Sequence, residues 1–96
     1  MKIRIKLYAS LGTHIPKGTA EGPTGNEADL NVAGGATITD VIDGLTLPLE
    51  SCHLVLVNGF FIAPSERDGR VLAEGDHLAI WPPVAGGNVT KWVAGG

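Results

Sequence analysis

Two stretches near the C-terminus end in paired glycine: PPVAGG closes at Gly87, and NVTKWVAGG closes at Gly96. Glycine has no side chain, so a Gly-Gly end can thread a narrow channel and adopt backbone angles closed to other residues. At a free C-terminus it also carries a carboxylate. That group can be activated by adenylation and then attacked by a sulfur donor or an amine. Gly96, with Gly95 before it, has this carboxylate as the chain stands, whereas Gly87, with Gly86, is tied to Asn88 by an amide. Gly86 and Gly87 therefore work only after a protease cuts the Gly87–Asn88 bond. The nine-residue extension has a reach of up to about 30 Å. Trp92 and Val93 in it suit contact with a partner, and Gly96 is the expected working end.

Other reactive residue types are scattered without a pattern. His14, His53 and His77 lack ligand spacing, and Cys52 is the sole cysteine, which excludes an internal disulfide and a four-cysteine zinc site. Cys52 has no activating neighbour and reads as a small packed hydrophobe. There is no Gly-x-Ser-x-Gly elbow, and the glycine-rich Gly12–Gly25 stretch lacks the Gly-Lys-Ser/Thr of a phosphate loop. Asp40 and Asp43 read as solvated residues of a short helix. No bound cofactor is expected, and the chain is poorly equipped to be an enzyme in its own right.

The elements that must hold this end in place follow from periodicity. In MKIRIKLY, Ile3, Ile5 and Leu7 alternate with Lys2, Arg4 and Lys6, which predicts a half-buried strand with a solvated basic stripe that could also receive an acidic partner. Gly12–Gly25 has no apolar period and reads as a long, mobile connection. Ala28–Val32 predicts a second strand beside the first. In GGATITDVIDGL, Thr37 is the expected N-cap, Ile38, Val41, Ile42 and Leu45 form the apolar stripe, Asp40 meets the helix dipole, and Pro48 helps to end the segment. His53–Gly59 is a continuous apolar run, expected to be a central strand covered on both faces. Phe60–Ala63 is expected to give a short strand after that turn, and LAEGDHLAIWPP gives a Glu-Gly-Asp turn and a last strand with Leu78 and Ile80 inward. Trp81 anchors its end, and Pro82 and Pro83 stop the ladder.

Ninety-six residues, 44% hydrophobic, with a formal net charge of -3, fit one domain. The expected division is a folded body over residues 1–83 and a flexible tail over 84–96. Neither nucleic acid nor a membrane is an expected partner, and without a signal stretch the expected location is cytoplasmic. One helix across a small mixed sheet of four to five strands is the economical α+β arrangement.

The KIRIKLYA strand, the ATITDVIDGL helix, VLVNG, the Leu-x-x-Gly-Asp of LAEGD and WPPVAGG together resemble the MoaD/ThiS sulfur carriers of the ubiquitin-like β-grasp fold. The resemblance covers nearly the whole chain. Its Pro-Pro-Val-x-Gly-Gly form is closest to the molybdopterin-synthase small subunit. It implies a cycle in which an E1-like adenylyltransferase activates the terminal glycine, sulfur transfer leaves a thiocarboxylate, and the tail delivers sulfide in a partner's active site. The implied covalent states are therefore the glycyl adenylate and the thiocarboxylate. The implied partners are that enzyme, the large subunit of a molybdopterin-synthase-like complex and a possible processing protease, with Pro82, Pro83, Trp92 and Val93 at the contact. Two departures stand out: Gly12–Gly25 replaces a helical segment expected after the first strand, and Asn88–Gly96 runs past the normal finish. The alternatives are a protein modifier joined to lysines through its last glycine and a non-covalent adaptor.

Overall fold

The computed structural model describes residues 1–83. The first strand, β1 (Lys2–Leu7), turns Ile3, Ile5 and Leu7 into the core as its alternation requires. β2 (Glu27–Asn31) runs antiparallel beside it, with Ile5 opposite Ala28 and Arg4 opposite Asp29. The helix α1 (Ile38–Gly44) follows, then β3 (Leu54–Val57), the two-residue β4 (Phe60–Phe61) and β5 (His77–Trp81). The sheet order is β2-β1-β5-β3-β4, with β1 and β5 parallel and the other pairs antiparallel. This is the mixed sheet with one main helix of the ubiquitin-like β-grasp fold.

Helix α1 has a reciprocal N-terminal cap: Asp40 N–H donates to Thr37 Oγ1 at 3.2 Å, and Thr37 N–H donates to Asp40 Oδ2 at 2.9 Å. Asp40 is therefore a structural cap as well as a dipole partner. Ile38, Val41, Ile42 and Leu45 are buried against the sheet. The helix stops because Thr46 takes the left-handed conformation at φ 56. Thr46 N–H then donates to Asp43 O at 3.0 Å and Leu47 N–H to Ile42 O at 3.1 Å, the Schellman pattern. Pro48 comes later and caps a 3-10 turn over Leu49–Ser51, so it is not what ends the helix.

Two further expectations need correction. The stretch after β1 is tied down: Ala9–His14 forms a 3-10 helix, Leu11 and Ile15 are buried, and Glu21 exchanges two backbone hydrogen bonds with Glu27 at 2.7 and 3.1 Å. A short helical segment therefore does follow β1, and its two apolar anchors hold the connection to the core. β3 is also not central; β5 is. Val55 and Val57 are buried, while Leu54 and Leu56 are half-buried on the face opposite the helix. Among the described residues no second layer covers that face, so the apolar run in β3 reflects an apolar outer face of the sheet.

Candidate functional site

The tail glycines Gly86, Gly87, Gly95 and Gly96, with Trp92 and Val93, lie outside the described residues, as does the whole expected tail over 84–96. The structure describes the platform from which that tail departs. β5 ends at Trp81, whose backbone C=O accepts from His53 N–H at 2.9 Å. Its indole lies parallel to the Tyr8 ring, with centroids 4.1 Å apart and planes 5° from parallel. Pro82 and Pro83 follow, half-buried and exposed, with no N–H to continue the ladder. These two prolines and Trp81 thus meet the start of β3 and the end of β1 at one end of the sheet.

From there the outer face carries Leu56, Ala79, Lys6 and His77 with Tyr8 and Trp81, around a shallow groove of about 290 Å³. Apolar side chains on a sheet face that no other described residues cover are the expected mark of a contact surface. Lys6 stands in this groove. Arg4, its neighbour on the same face, does not remain a free cation. It forms ion pairs with Glu21, with Asp29 at 3.1 Å and with Glu27 at 3.3 Å. The Glu21 and Asp29 carboxylates, despite some loss of hydration, raise the guanidinium's pKa. The basic stripe expected from MKIRIKLY is therefore neutralised at its centre.

The turns that set the height of β5 explain two sequence motifs. Asn58 (φ 52) and Gly59 (φ 86) form the tight β3–β4 turn, since consecutive positive φ angles suit Asn-Gly. Asn58 Oδ1 accepts from His77 N–H at 2.9 Å, and its amide donates to Asp76 Oδ1 at 2.9 Å. Within LAEGD, Asp76 Oδ2 accepts from Ala73 N–H at 2.8 Å, and Gly75 N–H donates to Lys2 O at 2.8 Å. The motif clamps the start of β5 to β1 and to the Asn-Gly turn. Partial burial opposes the Asp76 charge. The Ala73 N–H, the Asn58 amide and the charges of Arg70 and His77 outweigh it, holding the carboxyl below its ordinary pKa.

One residue that sequence reasoning passed over supports the other side of this platform. Arg67 is 7% exposed, and its guanidinium donates to Cys52 O at 2.8 Å and His53 O at 3.3 Å. Its Nε finds no partner among the described residues. Burial lowers its pKa. No local periodicity in the run SERDGR marks one of its charges as a clip. Cys52 is 3% exposed, with its thiol against Pro48 O at 3.4 Å, and burial pushes its pKa up against the opposing Arg67 charge. It is a packed core residue. His14 instead meets Leu45 O through Nδ1 at 3.2 Å, so the three histidines are not brought together. Among the described residues no group of three or more His, Cys, Asp or Glu is placed to hold a metal, and no helix is long and apolar enough to cross a membrane.

Comparison with known proteins agrees with this architecture. The sequence profile of the ThiS family matches residues 18–87. The fold is similar to a crystal structure of SAMP1 from Haloferax volcanii, with 31% identity, a TM-score of 0.61, and 91% of this chain and 100% of that one covered. It is also similar to a crystal structure of the same organism's small archaeal modifier protein 1, at 30% identity and a TM-score of 0.59 over 86% and 98% of the two chains. A putative molybdopterin converting factor subunit 1 from Pyrococcus furiosus shares the fold at 17% identity, with a TM-score of 0.61 over 88% and 99%. No curated protein sequence matches the chain.

Proposed function

The chain belongs to the ThiS family, the sulfur carriers and ubiquitin-like modifiers on a β-grasp body, and on that premise we propose that it carries sulfur on its terminal glycine. The observation that carries the reading is that the family match runs from the body through the first Gly-Gly, to Gly87. In the proposed cycle the glycine carboxylate attacks the α-phosphorus of ATP and releases pyrophosphate. A donor at the oxidation level of sulfide then attacks the acyl carbon, forming the C–S bond as the C–O bond to AMP breaks; AMP departs and loss of the sulfur's proton leaves the thiocarboxylate. The E1-like adenylyltransferase supplies the catalysis for these steps. This chain supplies the carboxylate, a side-chain-free end and a docking face.

The outer face around Tyr8, Leu56 and Trp81 supports that docking role, because it is apolar, uncovered by other described residues and adjacent to Pro82 and Pro83, where the described chain ends. The proposed recipient of the sulfur is a molybdopterin- or tungstopterin-forming synthase, with this chain inserted into its large subunit. The Pro82-Pro83-Val84-x-Gly86-Gly87 form supports that assignment. Gly96 is the proposed working end, and cutting after Gly87 is the rival route. Mass spectrometry of the protein isolated from its host decides between them, since a species ending at Gly87 overturns the choice of Gly96. Adenylation itself is tested by ATP–pyrophosphate exchange with the cognate E1-like enzyme. Exchange should require the chain and should vanish when Gly95 and Gly96 are deleted.

A second reading has its own support. The 31% identity to SAMP1 and the 30% identity to a protein described as a small archaeal modifier favour attack on the activated glycine by a lysine amine. Its mark is a set of covalent adducts in cells expressing tagged protein, abolished by removing the last glycine. An unchanged adduct pattern after that removal would argue against conjugation.

A further inference from the structure

The Asn58–Gly59 pair that turns β3 into β4 is the one Asn-Gly sequence in the chain. Asparagine can lose its side-chain amide to its own backbone: the nitrogen of the following residue attacks Cγ and closes a cyclic imide. A side chain on that following residue crowds the attack, and glycine has none. Asn26, Asn31 and Asn88 precede Glu27, Val32 and Val89, so none of them has this opening.

The turn is accessible to water and to the reaction. Asn58 and Gly59 are both exposed, a Cβ placed on Gly59 would touch nothing, and Gly59 N–H donates no hydrogen bond among the described residues. The restraint lies in the carboxamide. Its Oδ1 accepts from His77 N–H and its Nδ2 donates to Asp76 Oδ1, each at 2.9 Å, while Asn58 N–H donates to His77 O at 2.8 Å. These partners fix which end is oxygen, because a backbone N–H needs an acceptor and a carboxylate needs a donor. Ring closure must draw Cγ out of this cradle to the Gly59 nitrogen, at the cost of the bonds that hold it.

We infer that Asn58 is a deamidation site gated by the clamp at the start of β5: the closed clamp preserves the amide, and its opening exposes Cγ to Gly59. In the open turn the Gly59 nitrogen gives its proton to hydroxide and forms the N–Cγ bond. The bond from Cγ to the side-chain nitrogen breaks, and that nitrogen takes a proton and leaves as ammonia. Water then opens the imide at either carbonyl, leaving aspartate or isoaspartate in place of the asparagine. The product cannot restore the clamp. A carboxylate oxygen now stands where the amide nitrogen lay 2.9 Å from Asp76 Oδ1, and two ionised carboxylates repel at that range. Isoaspartate also lengthens the backbone of the turn and disturbs the pairing of Val57 with Phe60. The change is therefore a one-way record that the turn has opened. It is independent of the sulfur-carrier reading and lies at the opposite end of β5 from Trp81 and the prolines.

The test follows Asn58 by peptide mapping and mass spectrometry of the full chain held at mildly alkaline pH, with the aspartate and isoaspartate peptides separated by chromatography. In chain unfolded with guanidinium, Asn58 should convert at least about tenfold faster than Asn26, Asn31 or Asn88. Folding should slow its conversion by about tenfold or more. Asp76→Ala removes the acceptor of the amide and, with melting curves showing a folded chain, should speed conversion by about tenfold. Asn58→Asp places the product's charge in the clamp directly and should lower the urea midpoint at neutral pH. That deficit should shrink as pH falls and one carboxyl of the pair takes a proton. Arg70 and His77, with Lys6 across the groove, are the cationic groups facing the pair, and protonation of His77 acts in the same direction. Conversion no faster in the unfolded chain than in the folded one would overturn the inference. So would a folded Asp76→Ala chain that converts at an unchanged or lower rate, or an Asn58→Asp chain as stable as the parent at neutral pH.

Discussion

Trp81 closes β5, stacks on Tyr8 and marks the last point of the outer face before Pro82 and Pro83. Trp81→Ala should cost about 2 kcal/mol of stability, the aromatic pair plus the apolar area of a half-buried indole. It should raise the KM for the chain in E1-catalysed adenylation by about tenfold or more, as loss of an interface anchor does, and melting curves beside exchange kinetics separate the two effects. Arg67 acts the other way. Arg67→Ala leaves the Cys52 and His53 carbonyls without their buried donor and should lower stability by about 2–3 kcal/mol in urea unfolding. Its effect on the tail's chemistry should follow only from the lost fold. Asp76 gives a pH dependence. Its folded-state pKa lies below the ordinary 3.8, so its stabilisation is present above that value and is lost as pH falls through the lower, folded-state one. Asp76→Asn should flatten that part of the acid-unfolding curve. At this scale the sequence marked Trp81 and dismissed Cys52 as a nucleophile, and the structure agrees on both. Arg67 was hidden because burial of one charge in a polar run depends on contacts with residues 52 and 53 that no local pattern encodes.

Elements were the most legible scale, for a physical reason. Strict alternation in Lys2–Leu7 and an i, i+3, i+4, i+7 stripe in Ile38–Leu45 each have one way to bury their apolar residues. The order of strands and helix followed from them. What misled was local chemistry with a distant cause. The apolar run Leu54–Val57 reads as doubly covered, yet Leu54 and Leu56 face the side of the sheet opposite the helix, which no described element covers. Leu11 and Ile15 anchor a 3-10 segment too short to show a period. The helix stop at Thr46 was invisible because β-branched residues rarely adopt φ 56. That residue carries strain, partly offset by its hydroxyl bond to Leu45 O at 2.6 Å. Thr46→Gly should therefore raise stability by about 0.5–1 kcal/mol, read as a higher urea midpoint with an unchanged slope.

At the scale of the whole molecule, the described body ends at Pro83, beside the outer face proposed above for docking. The ThiS match through Gly87 leaves Asn88–Gly96 beyond the family pattern, so the working end is a question of covalent chemistry. Deleting Gly95 and Gly96 should leave the melting curve unchanged and abolish activation. The central claim is tested most directly by intact mass spectrometry of the chain after incubation with ATP, its cognate E1-like enzyme and a sulfur source. The account predicts a gain equal to sulfur replacing oxygen, on a chain still ending at Gly96. An unchanged mass across the sulfur donors tried, with the activating enzyme shown to be competent, would contradict it.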